Sequence, residues 1–263
     1  MIKIHDDNKG KDVSGLSDFL FRYHAALPQT LAGKPFLYEG GEVVTLHFDF
    51  ATTQSHMCKS DPDKLVLGYT RTMMGFLLLQ PSPDRIAMIG LGGGSLVKYC
   101  LRHVPDAHFT AVEINPDVIA LREKFMLPED GPKFRVICGD GADYVQGSSE
   151  LVDVLLVDGF DRNGQPEQLC SKEFYGHCYA KLREGGVLVV NLLGSNTGSS
   201  SYAARIYDSF DGKVIVVDAE DFGNKIVFAY KGKDFPPFTK AFSEHVTHLP
   251  PYTLALYEKL CGR

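Results

Sequence analysis

From Arg85 onward, short uninterrupted apolar runs alternate with longer stretches of mixed polarity, a pattern that predicts buried parallel strands with helices on both faces. Strands are expected near 85–90, 108–113, 134–138, 152–157 and 186–192, with helices between them. The second of these helices opens at Asn115-Pro116, an N-cap followed by a proline in the first turn. Further on, Lys213–Asp218 and Lys225–Tyr230 flank the turn Glu220-Asp221-Phe222-Gly223-Asn224 and read as two adjacent strands. Before Arg85 the pattern differs. Phe36-Leu37-Tyr38 and Val43–Phe48, on either side of Glu39-Gly40-Gly41-Glu42, read as a β-hairpin in a small N-terminal sheet. Residues 1–33 read as a short helix or an arm. Ser60-Asp61-Pro62-Asp63 offers helix-start chemistry, and Leu65 through Leu79 make an apolar helix that ends before Pro81. The fold class expected is therefore α/β, a doubly wound Rossmann-like sheet (61–263) preceded by an N-terminal arm and small β-sheet (1–60).

Composition narrows the function. A chain of 263 residues with 44% hydrophobic content can bury a full core. The formal net charge of −6 and the lack of any basic run argue against nucleic acid as a partner. No stretch approaches the roughly 20 apolar residues of a membrane span, and no basic-then-apolar leader opens the chain, so a cytoplasmic protein is expected. Cys58, Cys100, Cys138, Cys170, Cys178 and Cys261 are scattered without a CxxC pair, as in free thiols of a reducing compartment. His245 and His248 have ligand-like spacing but no further ligand nearby, so no metal is expected. Ser195 follows a strand but lacks the Gly-x-Ser-x-Gly setting of a nucleophile.

Candidate chemistry gathers at the strand ends, where open α/β sheets bind ligands. The first strand runs into Gly90-Leu91-Gly92-Gly93-Gly94-Ser95, whose glycines allow the backbone to approach a nucleotide. The second ends in Glu113, placed to accept hydrogen bonds from ribose hydroxyls. The third ends in Gly139-Asp140-Gly141-Ala142 and the fourth in Asp158-Gly159-Phe160-Asp161. Taken singly, each has an ordinary reading: the glycines as a structural turn, Glu113 as a solvated strand end, Asp140 as a helix cap, Asp158 and Asp161 as turn residues. Successive strand ends bearing carboxylates are harder to explain by packing, because a buried unpaired carboxylate is costly. A positively charged, hydrogen-bond-rich nucleoside ligand would satisfy them.

These segments resemble the spermidine synthases, or polyamine aminopropyltransferases, from about Gln54 to Tyr230 and most densely from Ile86 to Asn191. The family's glycine loop corresponds to Gly90–Ser95, and its ribose-binding acid to Glu113 in Val112-Glu113-Ile114-Asn115-Pro116. Its adenine-side segment corresponds to Gly139–Ala142, and its catalytic Asp-Ser-Ser-Asp segment to Asp158–Leu169 followed by Phe174-Tyr175. The resemblance implies donor binding by Gln54, Gly90, Gly92, Gly94, Glu113 and Ile114, joined by Asp140, Gly141, Ala142 and Asp158. It implies catalysis by Asp158 and Asp161, and an acceptor pocket of Tyr69, Arg71 and Asp161. The implied reaction is aminopropyl transfer from decarboxylated S-adenosylmethionine to an amine in polyamine biosynthesis, by a homodimer without a metal.

Two positions depart from the family pattern. The glycine-loop aspartate falls on Gly93, and the acid two residues after the pocket tyrosine falls on Arg71. Losing one carboxylate and gaining a guanidinium disfavours a multiply cationic acceptor, so an acceptor other than standard putrescine, or an amino acid, is expected. That holds if Arg71 faces the pocket; it is equally readable as a surface helix residue. The alternatives are an S-adenosylmethionine-dependent methyltransferase, an aminocarboxypropyltransferase, and a non-catalytic nucleoside-binding member.

Overall fold

A computed structural model of the chain describes residues 3–5, 34–48, 53–147, 150–161, 164–194, 198–221 and 223–236. The expected arm or helix within 1–33, together with Ser195, His245, His248 and Cys261, lies largely or wholly outside them. Strands β1 (Lys3–His5), β2 (Phe36–Gly40), β3 (Val43–His47) and β4 (Ser55–Cys58) form a small sheet in that order. β2 and β3 make the expected hairpin, closed between Gly40 and Val43. β4, which has little apolar character, was not foreseen; it pairs antiparallel with β3 and carries Ser55 to the edge of the larger sheet's cleft.

The larger sheet has seven described strands. They are β5 (Arg85–Ile89), β6 (His108–Glu113), β7 (Phe134–Cys138), β8 (Val152–Val157), β9 (Leu182–Leu193), β10 (Val214–Asp218) and β11 (Asn224–Tyr230). Their order is β10-β11-β9-β8-β5-β6-β7, parallel from β9 to β7, with β11 antiparallel to both its neighbours. β8 is buried at every position, the reason its sequence is apolar except at Asp153, whose buried carboxylate accepts from the Asp84 and Arg85 N–H groups. Apolar clusters cover both faces: Met88, Leu156 and Phe109 belong to one, Leu155, Val190 and Tyr175 to the other. From β5 the chain first builds outward through β6 and β7, then returns to lay β8 on the other side of β5. That reversal is the topological switch point, and it opens a crevice at the carboxyl ends of β5, β6 and β8.

The helix expected over 65–79 is shorter and begins later. Helix α1 spans Gly68–Met73 and tightens into a 3₁₀ turn over Met74–Leu78. Asp61 is drawn instead into a bridge with Cys58, which extends the β4 turn. No side chain caps α1 from its own N-cap residue, Leu67. Asp221, from the β10–β11 turn, accepts a 2.6 Å hydrogen bond from the Gly68 N–H. A tertiary partner thus replaces the local cap that the sequence suggested. The remaining described α-helices are α2 (Ser95–His103), α3 (Pro116–Ile119), α4 (Gly141–Gly147), α5 (Lys172–Lys181) and α6 (Ser199–Ser209). Asn115 caps α3 as expected, its side chain accepting from the Asp117 N–H at 2.9 Å. The five described cysteines are free thiols, three of them buried. Among the described residues no helix is long and apolar enough to cross a membrane, and no three His, Cys, Asp or Glu side chains converge as metal ligands.

Candidate active site

A cleft of about 480 Å³ opens at the switch point, within the size range of small-molecule sites. Its base is where β5 and β8 end side by side. Gly90 has φ +92°, and a Cβ there would lie 2.3 Å from the Asp158 carbonyl oxygen. Glycine is required for the two strand ends to stay this close, with the Asp158 N–H donating to the Ile89 carbonyl at 2.9 Å. The loop then turns through Gly92 and Gly94, both at positive φ, into α2.

Glu113 holds this loop in place. One carboxylate oxygen accepts from the Leu91 N–H and the other from the Asn115 N–H, each at 2.9 Å. A carboxylate has about four acceptor positions, so two remain for a ligand's hydroxyls. Asp140 divides its role in the same way: it caps α4 through a 2.7 Å bond from the Ala142 N–H, and it lines the cleft. Ile114, 59% exposed, stands at the lip as an apolar surface suited to the flat face of a base.

The other end of the cleft is built around Asp158. Its Oδ1 accepts from Asn191 Nδ2 at 2.8 Å and its Oδ2 from the Tyr69 hydroxyl at 3.3 Å. Asn191, at the end of β9 and 1% exposed, is itself oriented by Asn224, whose Nδ2 donates to Asn191 Oδ1 at 2.7 Å. Burial pushes the Asp158 pKa up, against the lowering effect of the two hydrogen bonds. The Tyr69 hydroxyl is pushed well above its ordinary value, first by burial and then by the Asp158 and Asp221 charges, so it stays a donor throughout the physiological range. Asp161 lies on the cleft wall in a tight backbone bridge with Gly164, and Gln54, just before β4, lines the same cleft.

Gln54, Tyr69, Gly90, Gly92, Glu113, Ile114, Asp140, Gly141, Asp158 and Asp161 therefore share one cleft. Gly94, Ala142 and Arg71 are not on its wall. A Cβ on Gly94 would strike the Leu127 side chain at 2.4 Å, and the Ala142 N–H is spent on Asp140. The Arg71 guanidinium pairs with Glu220 and donates to the carbonyls of Leu65 and Val66 at 2.6 and 2.7 Å. It clamps the β10–β11 turn to the start of α1, the second of its two sequence readings. Asn191, Asn224 and Asp221 were missed from the sequence. Asn191 had one signal, a polar residue closing the apolar run Val187–Val190. The other two sit in a segment that reads only as a turn.

Gly93 is packed shut. A Cβ there would lie 2.5 Å from Ser55 Oγ and 2.7 Å from the Phe125 ring. Gly93→Asp, which puts the family's residue into the loop, is expected to destabilise the protein by about 1–3 kcal/mol rather than improve donor binding. Thermal melting with and without nucleoside checks this, and an unchanged melting temperature with tighter binding would refute it.

The chain is similar in sequence to polyamine aminopropyltransferases, and in shape to spermidine synthases and to a methyltransferase-like protein. The spermine/spermidine synthase domain family matches residues 66–196. A polyamine aminopropyltransferase of Chromobacterium violaceum is 41% identical over 194 residues, covering 73% of this chain and 74% of that protein. A probable spermidine synthase of Corynebacterium glutamicum superposes with a TM-score of 0.67 at 19% identity, over 81% of this chain and 83% of that one. Human methyltransferase-like protein 13, in complex with SAH, superposes with a TM-score of 0.62 at 22% identity, over 72% of this chain and 93% of that one. At these identities the two structures establish the shared fold, and the sequence relatives establish descent: the chain belongs to the spermine/spermidine synthase family of polyamine aminopropyltransferases.

Proposed function

We propose that the chain transfers the aminopropyl group of decarboxylated S-adenosylmethionine to the nitrogen of a small-molecule amine. The observation that carries this reading is the Asp158 carboxylate, held by Asn191 and Tyr69 at the junction of β5 and β8, beside a loop and a Glu113 suited to a nucleoside. An amine acceptor is protonated in neutral water and cannot attack. Asp158 takes one of its protons, a transfer eased by the raised pKa of this carboxylate. The nitrogen lone pair then forms a bond to the carbon next to the sulfonium. The C–S bond breaks, its electron pair stays on sulfur, and methylthioadenosine leaves. Asn191 and Tyr69 both donate to Asp158, which fixes its orientation and favours the charged form.

A methyl-transfer reading has one observation in its favour. The closed packing at Gly93 leaves no place in the loop for a carboxylate, so the loop does not repel the side-chain carboxylate that S-adenosylmethionine carries and its decarboxylated form lacks. The deciding experiment is a mass-spectrometric turnover assay with either S-adenosylmethionine or its decarboxylated form and a panel of amines and amino acids. Methylthioadenosine from the decarboxylated donor, with an amine heavier by one aminopropyl group, is the expected result. S-adenosylhomocysteine means methyl transfer, and methylthioadenosine from S-adenosylmethionine means aminocarboxypropyl transfer.

The pH dependence of kcat/KM follows from Asp158. Its pKa is raised by burial, so the acid limb of the profile is expected above the ordinary carboxylate range, with activity lost as pH falls through it. Asn191→Leu removes a donor to the charged form and is expected to move that limb further up. A limb at the ordinary carboxylate value in both proteins would show that Asp158 does not govern turnover.

A further inference from the structure

We propose that a cavity at the amino ends of β5, β6 and β7 is a second ligand site, which takes a small phosphate-type oxyanion. The cavity, of about 200 Å³, lies at the opposite end of the strands from the cleft that holds Gly90, Glu113 and Asp158, and the two share no lining residue. Its volume is below that of a typical organic-ligand site and suits an ion or a small ester. Arg85 and His108 are register partners where β5 and β6 begin, and Arg135 pairs with Thr110 at the start of β7. Lys133, just before β7, completes the basic lining, and Glu150 is the sole carboxylate among the described residues that line the cavity. Arg85, Lys133 and Arg135 less Glu150 leave a surplus of two positive charges, which matches the roughly −1.5 to −2 of a phosphate group near neutral pH. The cleft has the reverse polarity: its described lining holds Glu113, Asp140, Asp158, Asp161 and Asp221 and no lysine, arginine or histidine.

The donors at this end of the sheet are not used up. Arg85 Nε is buried and donates no hydrogen bond among the described residues, with Asp84 Oδ2 3.5 Å away. A buried donor without an acceptor is costly, and an oxyanion oxygen relieves it. Asp84 is itself shared with Arg183 at 3.4 Å and with His108 at 3.7 Å. Glu150 pairs with both Arg85 and Arg135, so one carboxylate serves two guanidiniums. Arg135 Nε also donates to Thr110 Oγ1 at 3.1 Å, which holds this guanidinium on the cavity wall. A guanidinium carries about five N–H donors in a planar fork that meets phosphate oxygens two at a time. Cations also crowd one another here. Lys181, 2% exposed, sets its ammonium 4.4 Å from the centre of the Tyr144 ring, which lines the cavity. Burial, and after it the Arg135 charge, brings the Lys181 pKa down to about 8. An anion between Arg85 and Arg135 offsets that repulsion. Glu150 is 42% exposed, and an exposed ion pair contributes little, so its carboxylate gives way to an oxyanion of higher charge.

Calorimetric titration of inorganic phosphate at constant ionic strength tests the site, with and without saturating methylthioadenosine. Saturable binding to one site, unchanged by the nucleoside, is expected of the wild-type protein. Arg135→Gln is expected to weaken it about 10- to 100-fold, the worth of a hydrogen bond to a charged group. Glu150→Gln removes the competing carboxylate and is expected to tighten it about two- to fivefold. Arg102→Gln, which removes an exposed arginine paired with Asp63, should leave it unchanged. Thermal melting without phosphate confirms that the variants fold, and Glu150→Gln reports on the site even where Arg135→Gln does not fold. Glycerol phosphate titrated in parallel separates the sources of the anion: tighter binding than that of phosphate assigns the cavity to a phosphate ester, and weaker binding assigns it to the free ion. Phosphate that binds neither the wild-type protein nor Glu150→Gln overturns the inference. So does affinity unchanged in a folded Arg135→Gln, an equal loss in Arg102→Gln, or weaker binding in Glu150→Gln.

Discussion

Asp158→Asn is expected to lower turnover by about 10²- to 10⁴-fold while leaving nucleoside affinity within a factor of about three, the range typical for loss of a positioned general base. The size follows from the geometry. Asp158 accepts from Asn191 and Tyr69 and meets no cation among the described residues, so it is free to take a proton from the acceptor. An asparagine is isosteric and can still accept from Asn191 through its oxygen. Its amide nitrogen can donate to the Tyr69 oxygen, because a phenol both donates and accepts. The scaffold is therefore kept and the basic group removed. Steady-state kinetics paired with calorimetric binding of methylthioadenosine make the measurement. Turnover within tenfold of the wild-type protein would exclude Asp158 as the proton acceptor, and a matching loss of nucleoside affinity would mean that it serves the donor instead.

Glu113→Ala is expected to fail differently, in stability and nucleoside binding together. Glu113 is 9% exposed and is the partner of two backbone N–H groups, those of Leu91 and Asn115. Leaving a buried donor unsatisfied costs about 1–3 kcal/mol, so losing both partners is expected to cost about 2–4 kcal/mol. In a chain of this size that corresponds to a fall of roughly 5–15 °C in melting temperature. The glycine loop loses its anchor at Leu91 as well as the ligand's hydroxyl acceptor, and nucleoside affinity is expected to drop at least about 100-fold, a loss of about 3 kcal/mol. Glu113→Gln, which keeps one acceptor oxygen, should fall between. Melting curves and nucleoside titrations of the two variants check the order. A Glu113→Ala protein that melts with the wild type would show that the loop is held by its own turn hydrogen bonds, such as that from Gly94 N–H to the Leu91 carbonyl at 2.9 Å.

The two variants separate the ends of the cleft. In the proposed reaction one end orders the glycine loop for the nucleoside, and the other holds the Asp158 carboxylate for the amine. Both lie at the switch point because β5 is the strand from which the chain builds in two directions, leaving the ends of β6 and β8 on either side. The function of the cleft depends on Gly90 as much as on any charged group, since a side chain there would drive β8 and Asp158 away.

The larger sheet and the glycine-loop end of the cleft were legible in the sequence because their determinants are local. A continuous apolar run such as Val154–Val157 can satisfy itself only as a buried strand, and the residue that follows it must face the open end of the sheet. Glycines at Gly90 and Gly92, a carboxylate closing β6 and the Asn115-Pro116 helix start each announce their conformation within a few residues. The surroundings of Asp158 could not be read in this way. Asn191, Asn224 and Asp221 come from the β9–β11 edge, and their meaning arises when antiparallel pairing sets Ile226 opposite Asn191 and brings Asn224 beside it. Arg71 has the right neighbour in sequence, Tyr69, yet its side chain turns to Glu220, a residue 149 positions away that no local pattern links to it. Backbone conformation follows from short-range sterics and the burial of apolar runs, so the sequence by itself determined the strands of the larger sheet, the glycine loop and the carboxylates at the strand ends. Which charges face the cleft and which neutralise one another depends on partners supplied by distant strands, and only the tertiary structure decided that.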